Sequence, residues 1–141
     1  MARSKLSFPE HFHFTAIIPI RITDLNYGGH VGNDAVLSLI HEARSQFLKH
    51  HNYTEMNLEG IGLIMSDVTI EFKSEIFYGD VLNVFVAPKD FTRVSFDLYY
   101  KLTDSKTEKN FALAKTGMVC YDYASKKVVS VPEKARTALL S

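Results

Sequence analysis

The chain has 141 residues, 46% of them hydrophobic and 23% charged, a length that suits one domain, residues 1–141, with a buried core. Its 16 basic and 16 acidic residues cancel, which argues against nucleic acid or an anionic membrane as partner, since both call for a basic excess. One cysteine, Cys120, excludes an internal disulfide and a cysteine-built zinc site, and its apolar neighbours mark it as an inert core thiol.

No apolar run approaches the ~20 residues of a membrane span, and none of leader length follows Met1 to Pro9. The chain therefore reads as cytoplasmic. Balanced charge with 12% aromatic residues favours self-association.

Phe12, Phe14, Ala16, Ile18, Ile20 and Ile22 alternate with His13, Thr15, Ile17, Pro19, Arg21 and Thr23, the period of a first strand. Pro19 has no N–H to donate, which places that strand at a sheet edge or a bulge. A polar, glycine-rich turn follows and opens directly into a helix over 33–50, whose Val36, Leu39, Ile40, Ala43 and Phe47 share one face. Gly32 or Asn33 is the N-cap, and Asp34 in the first turn complements the dipole. Asp24, Asn26, His30, Asn33 and Asp34 thus crowd a helix N-terminus, whose unpaired N–H groups favour an oxyanion or a polarised carbonyl. Such a site suits acyl chemistry.

The rest reads as strands. Residues 63–77 form one extended run with Val68, Ile70 and Phe72 on one face. Tyr78, Gly79 and Asp80 turn the chain into a strand over 81–87, which Pro88 ends. Further strands over 93–102 and 111–123 are joined by a polar hairpin, and Pro132 starts a short helix over 133–140. Short connections give an antiparallel sheet of about five strands, and the long helix needs that sheet to cover its apolar side. The expected class is α+β.

In this order and spacing the chain resembles the hotdog-fold acyl-CoA thioesterases of the 4-hydroxybenzoyl-CoA thioesterase group. The resemblance spans nearly the whole length. It rests on Arg21-x-x-Asp24, on Gly29-His30-Val31-x-Asn33, on Glu42-Ala43-Arg44, on Tyr78-Gly79-Asp80 and on Pro132-Glu133. It implies a hotdog fold, a homodimer or a dimer of dimers with sites at the subunit interface, and hydrolysis of acyl-CoA or acyl-carrier-protein thioesters without metal or cofactor. It also implies a carbonyl polarised by a backbone N–H near Asn33, with Asp24, Gly29 and Val31 lining the substrate. The pantetheine arm would lie against Tyr78, Gly79, Arg93 and Ser95 of a neighbouring subunit.

Two positions depart from the family pattern. The usual catalytic carboxylate is replaced by Asn26, and the Glu that often precedes Glu-Ala-Arg is replaced by His41. An amide cannot act as nucleophile or base. The enzyme reading then has Asn26 orienting water, with His30, Asp34 or His41 taking its proton. The alternative is a module on the same fold that binds acyl thioesters without cleaving them. Asp24 is expected to organise the turn through backbone N–H bonds, and Glu42 to be a solvated helix charge. Arg44, inside the apolar stripe, needs a buried partner, with Asp24 as the candidate. The pairs His50-His51 and His11-x-His13 lack a metal-site pattern, and no Gly-x-Ser-x-Gly elbow is present.

Overall fold

A computed structural model describes residues 6–12 and 14–141. His13 of the expected first strand and metal reading, and the first five residues of the expected leaderless start, lie outside the described residues. The elements run β1 (Phe14–Pro19), a 3-10 turn (Ile22–Asp24), α1 (Asn33–His50), β2 (Gly62–Phe72), β3 (Val81–Lys89), β4 (Ser95–Asp104), β5 (Asn110–Asp122), β6 (Lys127–Val128) and α2 (Glu133–Leu140). The sheet is antiparallel throughout, in the order β1-β3-β4-β5-β2, with the two-residue β6 beside β5.

The helix stripe read from spacing is the buried one. Val36, Leu39, Ile40, Ala43 and Phe47 pack on the inner face of the sheet, where Leu82, Val84, Phe96, Leu98, Tyr100 and Met118 are sealed from solvent. Each such side chain contributes about 1.5–3 kcal/mol by leaving water, so packing rather than helix propensity holds α1 in place. The helix lies over β1 and β3. Pro19 stands in the edge strand β1, opposite Val81, where its missing N–H costs nothing.

Several strand limits differ from the sequence expectation, each for a local reason. β1 stops at Pro19, because Asp24 accepts the Arg21 N–H at 2.8 Å and curls the chain into the 3-10 turn. β3 runs on through Pro88, which pairs with Leu98. β4 begins only at Ser95, because the Thr92 hydroxyl accepts the N–H groups of Val94 and Ser95.

β2 ends at Phe72, after which the N–H groups of Lys73 and Ser74 both turn to the Phe111 carbonyl. Within β2 a bulge at Ser66 shifts the parity: Leu63 and Met65 before it, and Val68, Ile70 and Phe72 after it, face the same row of β5. Gly117 opposite the bulge leaves room for the Ser66 and Asp67 side chains, and the Ser66 hydroxyl donates to its carbonyl at 3.2 Å. The inner face of the edge strand β2 is buried at its start, at Leu63, and open towards its end, where Val68 is 37% and Phe72 49% exposed.

Candidate active site

The start of α1 sits at the sheet end that carries Pro19, Val81, Asp104 and Phe72. Two backbone bonds fix it there. The Val31 N–H donates to the Ile76 carbonyl at 2.8 Å, and the Ile20 N–H donates to the Asp80 carbonyl at 2.9 Å. Gly32 is the N-cap, with extended φ −72° and ψ 160°, and no side chain caps it. The first helical bond is from the Val36 N–H to the Gly32 carbonyl. The N–H groups of Asn33, Asp34 and Ala35 therefore point off the helix end without an intrahelical acceptor. Asn33 and Asp34 are exposed, so this end is open to a ligand.

The polar side chains of the preceding turn gather around two glycines. Asn26 accepts the Gly28 N–H on its Oδ1 at 2.8 Å. A methyl group on Gly28 would lie 3.1 Å from that oxygen and 3.6 Å from His30 Nε2. A methyl group on Gly32 would lie 2.7 Å from Asp34 Oδ1 and 3.5 Å from Asn26 Nδ2. Asn26, His30 and Asp34 are thus brought together beside the helix start. His30 Nδ1 is 3.2 Å from the Val31 carbonyl. With Nδ1 turned to that carbonyl, the Nε2 edge of the ring faces the Gly28 side.

Two hollows flank this cluster. One, of about 300 Å³, is lined by His30, Val31 and Asn33 and walled by Val36, Phe72, Ile76, Phe111 and Ala112, with Lys73, Ser74 and Glu75 at its polar side. The other, of about 420 Å³, runs between β1 and α1 and holds Asp24, His41 and Glu42. His41 therefore does not join the helix-start cluster within one chain. It stands seven residues beyond Asp34, about 10 Å along the helix axis, with Nε2 3.0 Å from Glu55 Oε1. The larger hollow has no unpaired helix amides, which makes the smaller one the candidate site.

Asp24 does organise the turn, through the Arg21 N–H, and Glu42 is exposed and accepts the Gln46 side-chain amide at 2.7 Å. The expected Arg44–Asp24 pair is not formed. Arg44 reaches away from the turn, with Nε 3.1 Å from Glu55 Oε1 and Nη1 3.4 Å from Tyr100 Oη, and Tyr100 in turn meets Thr116 Oγ1 at 2.7 Å. Burial disfavours the charge of Arg44, but Tyr100 and Glu55 more than offset this and leave its pKa raised. Burial lifts the Tyr100 hydroxyl against the pull of Arg44. Cys120 is wholly buried and its thiol is pushed up to about 11, which keeps it protonated and inert.

Gly29, in the turn before α1, and the turn of Tyr78 and Gly79, before β3, line neither hollow; Tyr78 is 62% exposed, and Asp80 closes its turn on the Phe77 N–H at 2.8 Å. Arg93 and Ser95 lie at the sheet end opposite the start of α1, where Ser95 pairs with Val119 and Arg93 Nη1 meets the Ser130 hydroxyl at 3.2 Å. Phe72, Glu75, Phe111 and the Arg44–Glu55 pair are site or core features that spacing alone did not mark out. The clue to the first three is tertiary, the Val31–Ile76 bond. Among the described residues no cluster of His, Cys, Asp and Glu could hold a metal ion, and no helix is long and apolar enough to cross a membrane.

Known structures share this architecture. A 1,4-dihydroxy-2-naphthoyl-CoA thioesterase from Synechocystis superposes with a TM-score of 0.82 at 22% identity, covering 89% of this chain and 94% of that one. A hypothetical protein from Aquifex aeolicus gives 0.81 at 22% identity, over 90% and 99% of the two chains. A gentisyl-coenzyme A thioesterase gives 0.79 at 18% identity, over 89% and 99%. At these identities the likeness establishes the hotdog fold. The family model of the thioesterase-like superfamily matches residues 20–139, from the end of the first strand into the last helix, and the chain belongs to that superfamily.

Proposed function

We propose that the protein hydrolyses acyl-CoA or acyl-carrier-protein thioesters to free acid and thiol. The observation that carries this reading is the uncapped, exposed start of α1 at the wall of a partly apolar cavity. The thioester oxygen sits on the N–H groups of Asn33 and Asp34, donors each worth about 3–4 kcal/mol as charge develops on it. Asn26, His30 and Asp34 hold and polarise the attacking water. Gly29 and Val31 border the acyl group, and Asp24 shapes the turn that presents them.

The exposed end of β2 at Val68 and Phe72, adjoining the cavity through Phe72, is the surface on which a second subunit completes the site. Arg93 and Ser95, remote within one chain, reach the pantetheine arm from that partner, while Tyr78 and Gly79 flank its path. Cys120, single and buried, fits the reducing cytoplasm.

Asn33→Pro tests the oxyanion site without breaking the helix. Asn33 is the first helical residue, a position where proline is favoured, and Gly32 already has the extended backbone that proline requires before it. Thiol release across acyl-CoAs of increasing chain length should show wild-type turnover and a kcat about 10²-fold lower in the variant. Equal rates would remove this helix start as the oxyanion site. The second reading, a binding module, is favoured by one observation: Asn26 is uncharged and its Oδ1 is already committed to the Gly28 N–H. Tight acyl-CoA binding with no thiol release would establish it.

A further inference from the structure

Among the described residues, Glu75 is the one carboxylate that lines the cavity together with His30 and Asn33. The Val31–Ile76 backbone bond, 2.8 Å long, lies one residue from His30 on one side and one residue from Glu75 on the other. Ile76 is buried, and the N–H groups of Lys73 and Ser74 are both held by the Phe111 carbonyl. The backbone carrying Glu75 is therefore fixed on both sides. Its carboxylate makes no hydrogen bond or ion pair among the described residues, and the nearby cation, Lys73, is engaged by Glu71 at 3.5 Å. A carboxylate that lines one cavity with the helix-start residue Asn33, with Phe72, Phe111 and Val36 in the same wall, is available to accept a proton.

We propose that Glu75 is a catalytic residue of this site, the base that takes the proton of the attacking water; this rests on the thioester-hydrolysis reading and deepens it. The other groups are left with other parts. Asn26 cannot hold a proton, His41 is paired with Glu55 outside the cavity, Asp34 does not line it, and His30, whose Nδ1 lies at the Val31 carbonyl, holds the water. Water oxygen bonds to the thioester carbon as its proton passes to Glu75, and the carbonyl electrons move to the oxygen held by the helix amides. Collapse reforms the C=O bond and breaks the C–S bond. The electron pair leaves with sulfur, and the proton on Glu75 passes to that thiolate, giving acid and free thiol.

The test uses the full chain and acyl-CoA substrates, with kcat and KM measured against pH for wild type, Glu75→Gln and Glu75→Asp. Glu75 is exposed and unpaired, so the isosteric Gln leaves folding unchanged, which thermal melting checks. Expected are a kcat lower by about 10²–10³-fold in Gln with KM nearly unchanged, loss of the acidic limb of the kcat profile, and partial recovery of both in Asp. An active wild type with a Gln variant of equal kcat, or one changed in KM alone, overturns the assignment of Glu75 and leaves the hydrolase reading standing. A wild type that releases no thiol overturns both.

Discussion

The two halves of α1 use polar residues in opposite ways. At its start, Asn33 and Asp34 are exposed and the first amides have no intrahelical acceptor, while Asn26 and His30 stand nearby. Three turns on, Arg44 is buried and its guanidinium is satisfied by Glu55 and Tyr100, which is itself bonded to Thr116. A polar group with no internal partner is available to a ligand, and one whose partners are all internal serves the fold. Truncating the second kind should cost stability, and disturbing the first kind should cost activity.

The sharpest break of that contrast is Arg44→Ala. Removing one member of a buried pair typically costs 3–5 kcal/mol, because the other is left uncompensated. Glu55, with a side chain 26% exposed, can recover some water, which points to the lower end, about 3 kcal/mol. Urea unfolding should show the midpoint falling by that amount, with kcat per folded molecule retained. A stable variant that has lost activity would place Arg44 in the site and erase the distinction between the two halves.

Gly32→Ala probes the other half. The added methyl would meet Asp34 Oδ1 at 2.7 Å and come within 3.5 Å of Asn26 Nδ2, both ends of mobile side chains. With φ at −72° the backbone accepts alanine, and because alanine is a poorer N-cap than glycine the exchange costs up to about 1 kcal/mol. Stability should fall by no more than that. Displacing groups that orient water by about 1 Å should lower kcat by roughly 10²-fold. Paired kinetics and unfolding of this variant check both halves of the expectation, and a large stability loss with normal turnover would reverse it.

How much of this was legible in the sequence follows the range of the forces involved. The stripe of Val36, Leu39, Ile40, Ala43 and Phe47, the edge position of Pro19 and the turn at Gly79 depend on periodicity and backbone chemistry within a few residues, and the structure carries all three. The partner of Arg44 was not legible, because Glu55 reaches it from a loop after the helix and Tyr100 from β4. Glu75 read as part of an unbroken strand, because nothing local announces that the Phe111 carbonyl draws the chain off the sheet after Phe72. The bulge at Ser66 was visible only as a change of parity between Leu63, Met65 and Val68, Ile70, which a single sequence does not resolve into a side of the sheet.

The smallest effect belongs to Arg21→Ala, at the edge of the open half. Arg21 and Asp24 make an ion pair at 3.4 Å, yet the Arg21 side chain is 74% exposed and that of Asp24 only 9%. Water screens the pair, so its loss should cost no more than about 0.5 kcal/mol. Asp24 keeps the shorter bond, since it is the Arg21 backbone N–H, present in any residue but proline, that it accepts at 2.8 Å. The 3-10 turn should therefore survive in Arg21→Ala, which unfolding at low and high salt can check: the small loss should shrink as salt rises. A loss above ~1 kcal/mol, insensitive to salt, would mean that the turn before α1 is braced by buried charge as Arg44 is, and that the open half of the helix is held in the same way as the closed one.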